Sequence, residues 1–232
     1  MATAKSQRIA IFIIMIVMII GTLGSFFVII LQNENQKSDS KRQQAAIEKY
    51  QADMSQYQKQ LDAQTAELSK KYYPVLSQYQ DLTAKFERDG VEKIVKKDLK
   101  VGEGAVIDDQ TKFAAYYIGW NPDGEVFDQS IETDTKSLKQ PLYYSDSTSG
   151  SVGLEEGLKK ASLIEGWKDG MKGMKIGGVR LITIPSDLAY GEQGSGDKIA
   201  PNTPIKFVVL AIKPLKDIAQ PQIPEDLLQG AY

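Results

Sequence analysis

Neither histidine nor cysteine occurs in the 232 residues of this chain. Imidazole bases, thiolate nucleophiles, cysteine metal sites and disulfide frameworks are therefore excluded, and the chain is indifferent to the redox state of its compartment. Carboxylates remain, but the pairs Asp108-Asp109 and Glu155-Glu156 are neighbours in sequence. A strand or a helix points such neighbours apart, so no glycosidase-type pair is formed. The glycine-rich stretches "GMKGMKIGG" (170–178) and "GEQGSG" (191–196) neither follow a strand nor open a helix with the lysine and hydroxyl that a phosphate cradle requires. No metal or cofactor is implied. What stands out instead is "LITIPSDLAYG" (181–191), an alternating apolar strand that breaks at a proline and sets Tyr190 directly before a glycine. A bulky aromatic placed at such a turn is a candidate for binding or catalysis more than for core packing.

Several elements must position that tyrosine. From Val91 onward the chain is written in short alternating stretches separated by glycines and turns. Phe113 to Ile118 alternates before the turn "NPDG" (121–124), Val179 to Ile184 alternates again, and Ile205, Phe207, Val209 and Ala211 mark a last strand. Between them "IEGWKDGMKGM" (164–174) places Trp167, Met171 and Met174 on one face at helical spacing, able to cover a curved antiparallel sheet. Residues 131–162 include "YYSDSTSGSVG", too long and too rich in Ser, Thr and Gly for a tight connection, and read as an insertion.

The N-terminal third is of another kind. Ile9 to Leu31 is 23 residues without a charge, long enough to cross a hydrocarbon layer of about 30 Å as a helix. Lys5 and Arg8 precede it, and it runs past the only weak cleavage candidate at Gly21 to Ser25, so it reads as a signal anchor. Lys37, Lys41 and Arg42 oppose the charge vote of Lys5 and Arg8; the tail of eight residues argues for the N-terminus inside and the bulk outside. Residues 32–45 are polar and aperiodic, a juxtamembrane spacer. Over 46–88, Ile47, Tyr50, Met54, Tyr57, Leu61 and Leu68 follow heptad-like spacing, resumed by Val75, Tyr79, Leu82 and Phe86 after Pro74. Proline removes a donor, so two helices are expected rather than one. They pack on each other or on the following domain, or else form a dimerising coiled coil. The net charge of −2 recruits no nucleic acid.

Four stretches occur in a telling order: "YYIGWNPDGEVFDQS" (116–130), "LIEGWKDGMKGMKIGG" (163–178), "LITIPSDLAYG" (181–191) and "IAPNTPIKFVVLAI" (199–212). Together they resemble the FKBP-type peptidyl-prolyl isomerase domain, with "DLKVGEGA" (98–105) similar to that family's first strand. The resemblance covers roughly residues 91–216. It implies an apolar hollow between sheet and helix, lined by Tyr117, Phe127, Leu163 and Phe207, with Trp167 as floor and Asp128 at the rim. The Ile164 N–H and the Tyr190 hydroxyl would bind carbonyls flanking the substrate proline. It also implies a reaction suited to a chain without His or Cys, since rotating a prolyl amide breaks no covalent bond. The barrier of about 18–20 kcal/mol comes from amide resonance, and a dry aromatic site that favours the twisted, less charge-separated amide lowers it. The competing segment "GLEEGL" (153–158) imitates the helix start but lacks the tryptophan of "GWKDGM" (166–171). Three places depart from the family: Leu188 stands where an aromatic is usual, the loop 192–200 is short and polar, and the aromatic after Phe127 is replaced by Leu142 or supplied by Tyr144.

The expected architecture is α+β: a curved antiparallel sheet wrapped on a short helix, preceded by a transmembrane helix and a helical region. The expected order is tail 1–8, anchor 9–31, linker 32–45, helical region 46–88, isomerase domain 91–216 and C-terminal tail 217–232 with a helical turn at 225–229. The expected function is prolyl isomerisation in the folding of extracytoplasmic proteins, with a non-catalytic proline-binding chaperone or a membrane scaffold module as the alternative. Expected partners are proline-containing polypeptides and the membrane, with a homodimer through the helical region as a further possibility.

Overall fold

The computed structural model describes residues 34–145 and 149–228. Two compact units divide the chain, residues 1–56 with 220–232 and residues 57–219. The helix α1 (Glu34–Ser77) contributes its early turns to the first unit and the rest to the second. The first unit also holds α3 (Glu225–Leu228). The apolar run 9–31 and the tail 1–8 lie outside the described residues, as does Gln229. Among the described residues no helix is long and apolar enough to cross a membrane.

The second unit is built on strands β1 (Val95–Lys100), β2 (Ala114–Trp120), β3 (Val126–Gln129), β6 (Val179–Ile184) and β7 (Ile205–Ile212), in the order β1-β6-β7-β2-β3. Every neighbouring pair is antiparallel. A hairpin of β4 (Ile131–Glu132) and β5 (Ser137–Leu138) stands beside them.

Because side chains alternate along a strand, each strand serves two faces. The inner face packs on α2 (Glu165–Met171). That helix carries Gly166 and Gly170 one turn apart. A Cβ on Gly166 would lie 2.1 Å from Ile184 Cγ2, and one on Gly170 would lie 2.6 Å from Ile182 Cγ2. The two glycines let the helix backbone lie against β6 and bury Trp167 and Met171. Arg180 then fastens the end of α2: Nη1 donates to the carbonyls of Gly170 at 2.9 Å and Lys172 at 3.0 Å, while Nε pairs with Asp98 of β1 at 2.6 Å. A buried guanidinium is tolerable only with its donors so engaged.

The outer face presents Tyr116, Ile118 and Trp120 from β2 with Val208 and Leu210 from β7, all buried. Its cover comes from the N-terminal side. Leu76 belongs to the core, and Leu68, Tyr72, Val75, Tyr79, Phe86 and Ile94 pack against it. Tyr72 and Tyr116 lie with ring centroids 6.2 Å apart, Ser69 Oγ accepts the Leu138 N–H at 2.8 Å, and Trp120 Nε1 donates to the Ala84 carbonyl at 3.2 Å.

Five expectations need correction. The stretch 32–45 is not an aperiodic spacer: α1 begins at Glu34. Its Gln, Glu, Lys and Ala residues are good helix formers on every face, which a search for apolar periodicity misses. Pro74 does not divide the helix; α1 passes through it and stops three residues later, at Ser77. The cost of an interior proline is about 3 kcal/mol, and full burial of Leu76 returns about 1.5–3 kcal/mol of it, with Tyr72 and Val75 adding to that. The helical region does not reach residue 88, because after a single turn at Gln80–Leu82 residues 83–94 run without regular structure. The first strand is Val95–Lys100, not 98–105; beyond it the chain leaves β6, and Gly104 N–H bonds to the Ile176 carbonyl at 2.9 Å. Residues 131–162 are more than an insertion, since Ile131, Leu138, Tyr143, Leu154, Leu158 and Ala161 are buried in the core.

Candidate active site

The inner face of β2 carries Tyr117, and the strand's pairing places Gly119 beside both Phe207 of β7 and Asp128 of β3. The Tyr117 hydroxyl donates to Asp128 Oδ2 at 2.5 Å. The Phe207 ring stands edge-on to Tyr117, at 6.0 Å and 68°, and to Phe127, at 5.5 Å and 86°. These T-shaped contacts suit the ring quadrupoles and fix a three-ring wall. Gly119 makes the wall possible, because a Cβ there would lie 2.5 Å from Phe207 Cε1 and 2.8 Å from Phe127. A glycine inside an alternating strand pattern was the available signal for this close approach, and sequence reasoning did not use it.

Trp167 and Phe207 are buried, while Tyr117, Phe127, Leu163, Ile164, Leu188 and Tyr190 are half-buried and packed on the same apolar cluster. Of the eight candidate residues two are buried, five are half-buried on the core cluster, and the exposed Asp128 is linked to Tyr117 by its hydroxyl and to Tyr190 by charge. Ile164 is the N-cap of α2, with φ −59° and ψ 144°. Its carbonyl accepts from Trp167 and Lys168, and its N–H has no protein acceptor among the described residues.

Tyr190 sits between two single turns, Ser186–Leu188 and Gly191–Gln193. Gly191 takes φ +56°, a conformation that favours glycine, which accounts for the Tyr-Gly pairing. Burial first, and the negative charge of Asp128 second, push the Tyr190 phenol above its ordinary pKa. The hydroxyl therefore stays protonated as a hydrogen-bond donor throughout the neutral range, and the Asp128 carboxylate lies within electrostatic reach of it. Leu188, in the place of a second aromatic, packs on the core. Leu142 pairs with Ala115 of β2, its N–H and carbonyl both bonded, and Tyr144 turns instead to the Lys216 carbonyl at 2.9 Å. The loop 192–200 is closed on itself by a bridge between Ser195 and Ile199.

Among the described residues no group of three acidic side chains is arranged to hold a metal ion. The arrangement sets a group of partly open aromatic rings beside a protonated phenol and a backbone N–H that has no protein acceptor among the described residues.

The family of FKBP-type peptidyl-prolyl cis-trans isomerases matches residues 103–211 of this chain. An FK506-binding protein of Neisseria meningitidis is 32% identical over 120 residues, which is 52% of this chain and 94% of that protein. A probable FK506-binding protein of Corynebacterium glutamicum is 34% identical over 119 residues, 51% of this chain and 84% of its own. A probable FKBP-type 25 kDa peptidyl-prolyl cis-trans isomerase of Pseudomonas aeruginosa is 30% identical over 116 residues, 50% of this chain and 41% of that one. The chain belongs to the FKBP-type peptidyl-prolyl cis-trans isomerase family. It is an isomerase of prolyl peptide bonds.

Proposed function

We propose that the catalytic seat is the hollow ringed by Tyr117, Phe127, Leu163 and Phe207 over Trp167, and that it acts on polypeptide segments outside the cytoplasm while held to a membrane by residues 9–31. The observation that carries the site is the convergence of Tyr190, its phenol kept protonated beside Asp128, with the three-ring wall around Phe207. A substrate proline seats on the rings. The Tyr190 hydroxyl and the Ile164 N–H then hold the flanking carbonyls, so the segment is anchored on either side of the bond that turns. As the amide twists it loses resonance and charge separation, and a seat of rings favours that state more than water does. Asp128 holds Tyr117 by its hydroxyl and keeps the wall in place.

Isomerisation of a proline-containing peptide by the full chain tests this. Tyr190→Phe is expected to lower kcat/KM by about tenfold, the equivalent of one ordinary hydrogen bond of about 1.4 kcal/mol. Trp167→Ala, checked for folding, should lower it further; wild-type rates in both folded variants would remove the site from this hollow.

The anchor rests on the uncharged run Ile9 to Leu31. Since the chain has no cysteine, Glu103→Cys gives a single label site. Its reaction with a membrane-impermeant maleimide on intact cells places the domain outside; protection until lysis places it inside. Self-association through α1 has residues 34–56 to use, where Ile47, Tyr50 and Met54 are half-exposed, because the apolar positions from Leu61 on are taken up by the second unit. Sedimentation of the full chain in detergent reads it.

A further inference from the structure

The segment after Tyr190 reads from its composition as a loose polar loop, but it is bound at many points. The Gly194 N–H bonds to the Tyr190 carbonyl at 3.2 Å, and the Asn202 N–H returns to the Gly191 carbonyl at 2.8 Å, so residues 191–202 form a closed strap hung on Tyr190. On its far side the strap reaches the β2–β3 turn. Lys198 Nζ donates to the Val126 carbonyl at 2.8 Å and pairs with Glu125 at 3.3 Å. Asn121 Nδ2 donates to the Lys198 carbonyl at 2.9 Å, while Asn121 Oδ1 accepts the N–H groups of Asp123 and Glu125 at 3.0 Å each. Val126 opens β3 and directly precedes Phe127 and Asp128. The strap is thus tied at one side to the backbone of Tyr190 and at the other to the strand that carries the opposite rim.

A third tie comes from the segment after α1. Arg88 Nη2 donates to Thr203 Oγ1 and to the Pro201 carbonyl at 3.4 Å, at the strap's end. The same segment bonds the β2–β3 turn, from Phe86 N–H to the Pro122 carbonyl at 3.0 Å. Between these ties lies a polar hollow of about 90 Å³ lined by Arg88, Asn121, Lys198 and Thr203. The junction is therefore held by individual polar bonds more than by close packing, so each bond counts.

We propose that Lys198 and Arg88 are positioning residues of the isomerase: they hold the strap 191–202 as a fixed side wall of the substrate seat, and Arg88 makes the N-terminal segment part of that wall's support. This rests on the placement of the seat at Tyr190 and Phe207. A strap already ordered in the free enzyme is not ordered at the substrate's expense, so the ties act on binding more than on the turning of the bond.

The test uses the full chain with Lys198→Met, Lys198→Arg and Arg88→Ala. Lys198 is about half exposed, with 47% of its side chain in solvent, so its loss leaves the fold intact. In Lys198→Met, KM for a proline-containing peptide should rise about fivefold with kcat within twofold of wild type, the pattern of lost uniform binding. Amide exchange of residues 194–199 should quicken by about tenfold while β2, β6 and β7 exchange as before. Lys198→Arg, which keeps a donor for the Val126 carbonyl, should restore both values, and Arg88→Ala should act in the same direction. Unchanged exchange of the strap in Lys198→Met and Arg88→Ala overturns the proposal, as does a defect that tracks a lower Tm and is not rescued by arginine. If instead exchange quickens but KM and kcat stay at wild-type values, the strap is tied as argued but is no wall of the seat, which overturns the role in binding; the site reading itself fails only if Tyr190→Phe and Trp167→Ala also keep wild-type rates.

Discussion

Tyr116 and Tyr117 are adjacent in one strand and meet opposite fates. Tyr117 faces the seat, half-buried, and its hydroxyl holds Asp128. Tyr116 faces α1, fully buried, and its hydroxyl has no partner among the described residues. The contrast extends over the whole sheet. The inner face is covered by a helix of seven residues, too short to fill it, and the uncovered part is the aromatic hollow. The outer face is covered over β2 and β7 by the later turns of α1 and by residues 83–94, while toward β1 it stays open, with Val95 exposed. A sheet that must keep one face available to substrate gains its rigidity from the other. The N-terminal elements are thus structural members of the isomerase unit, and a boundary at residue 91 cuts through its core.

The largest effect should follow from stripping the outer face. A chain starting at residue 91 exposes Tyr116, Ile118, Trp120, Val208 and Leu210 at once, and it should lack a cooperative urea transition. The graded version is Leu76→Ala, with Leu76 fully buried. It should cost about 2–5 kcal/mol out of a total of about 5–15 kcal/mol for a domain, read as a lower urea midpoint at unchanged slope. A change below 0.5 kcal/mol would show that α1 is an ornament on a self-sufficient sheet.

On the inner face the sensitive contact is backbone against side chain. Gly166→Ala puts a methyl 2.1 Å from Ile184 Cγ2, which neither element can accept without moving. The expected loss is about 1–3 kcal/mol. Because the helix would be pushed off β6, Trp167 and Ile164 move with it, so catalysis should fall more than stability predicts. Leu76→Ala should do the reverse. The two faces are then separable by plotting loss of kcat/KM against loss of unfolding free energy, with the two substitutions on different lines.

That separation also explains what could be read from the amino acids alone. The strands β2, β6 and β7 and the helix α2 were legible because their alternation or spacing is local, and the ordered motifs fixed which aromatics share a face. The outer cover was harder to foresee. Leu68, Tyr72 and Leu76 show an apolar stripe, but a stripe does not say whether it meets a sheet, a sister helix or a second copy. Pro74 argued for a break through a local cost that distant packing outweighs. The strap was missed for a related reason: Gly, Ser and Asp in "GEQGSGDK" describe a loop, whereas its order comes from Lys198, Asn121 and Arg88, whose partners are far away in sequence.

The smallest effects give the sharpest comparison, because they act on the two neighbouring tyrosines. Tyr117→Phe loses a hydrogen bond to a solvated carboxylate and should cost about 0.5–1.5 kcal/mol together with part of the activity. Tyr116→Phe removes a buried hydroxyl without a partner and should stabilise the protein by up to about 1 kcal/mol with activity unchanged. Alkali should widen that gap. Burial, and then the nearby Tyr72, push the Tyr116 phenol well above its ordinary value, so the folded state holds this proton more tightly than the unfolded chain. Its contribution is fully present below the unfolded pKa of about 10 and is lost as the pH rises toward the folded value. Above about pH 10 the advantage of Tyr116→Phe over wild type should therefore grow, with a limiting slope of about 1.4 kcal/mol per pH unit. Lys206, held below its ordinary value by burial, acts in the opposite sense but equally in both proteins, so the difference between their urea midpoints cancels it. A difference that stays flat through this window would mean that the Tyr116 hydroxyl reaches solvent, and the contrast between the covered centre of the outer face and the open inner one would fail at its central residue.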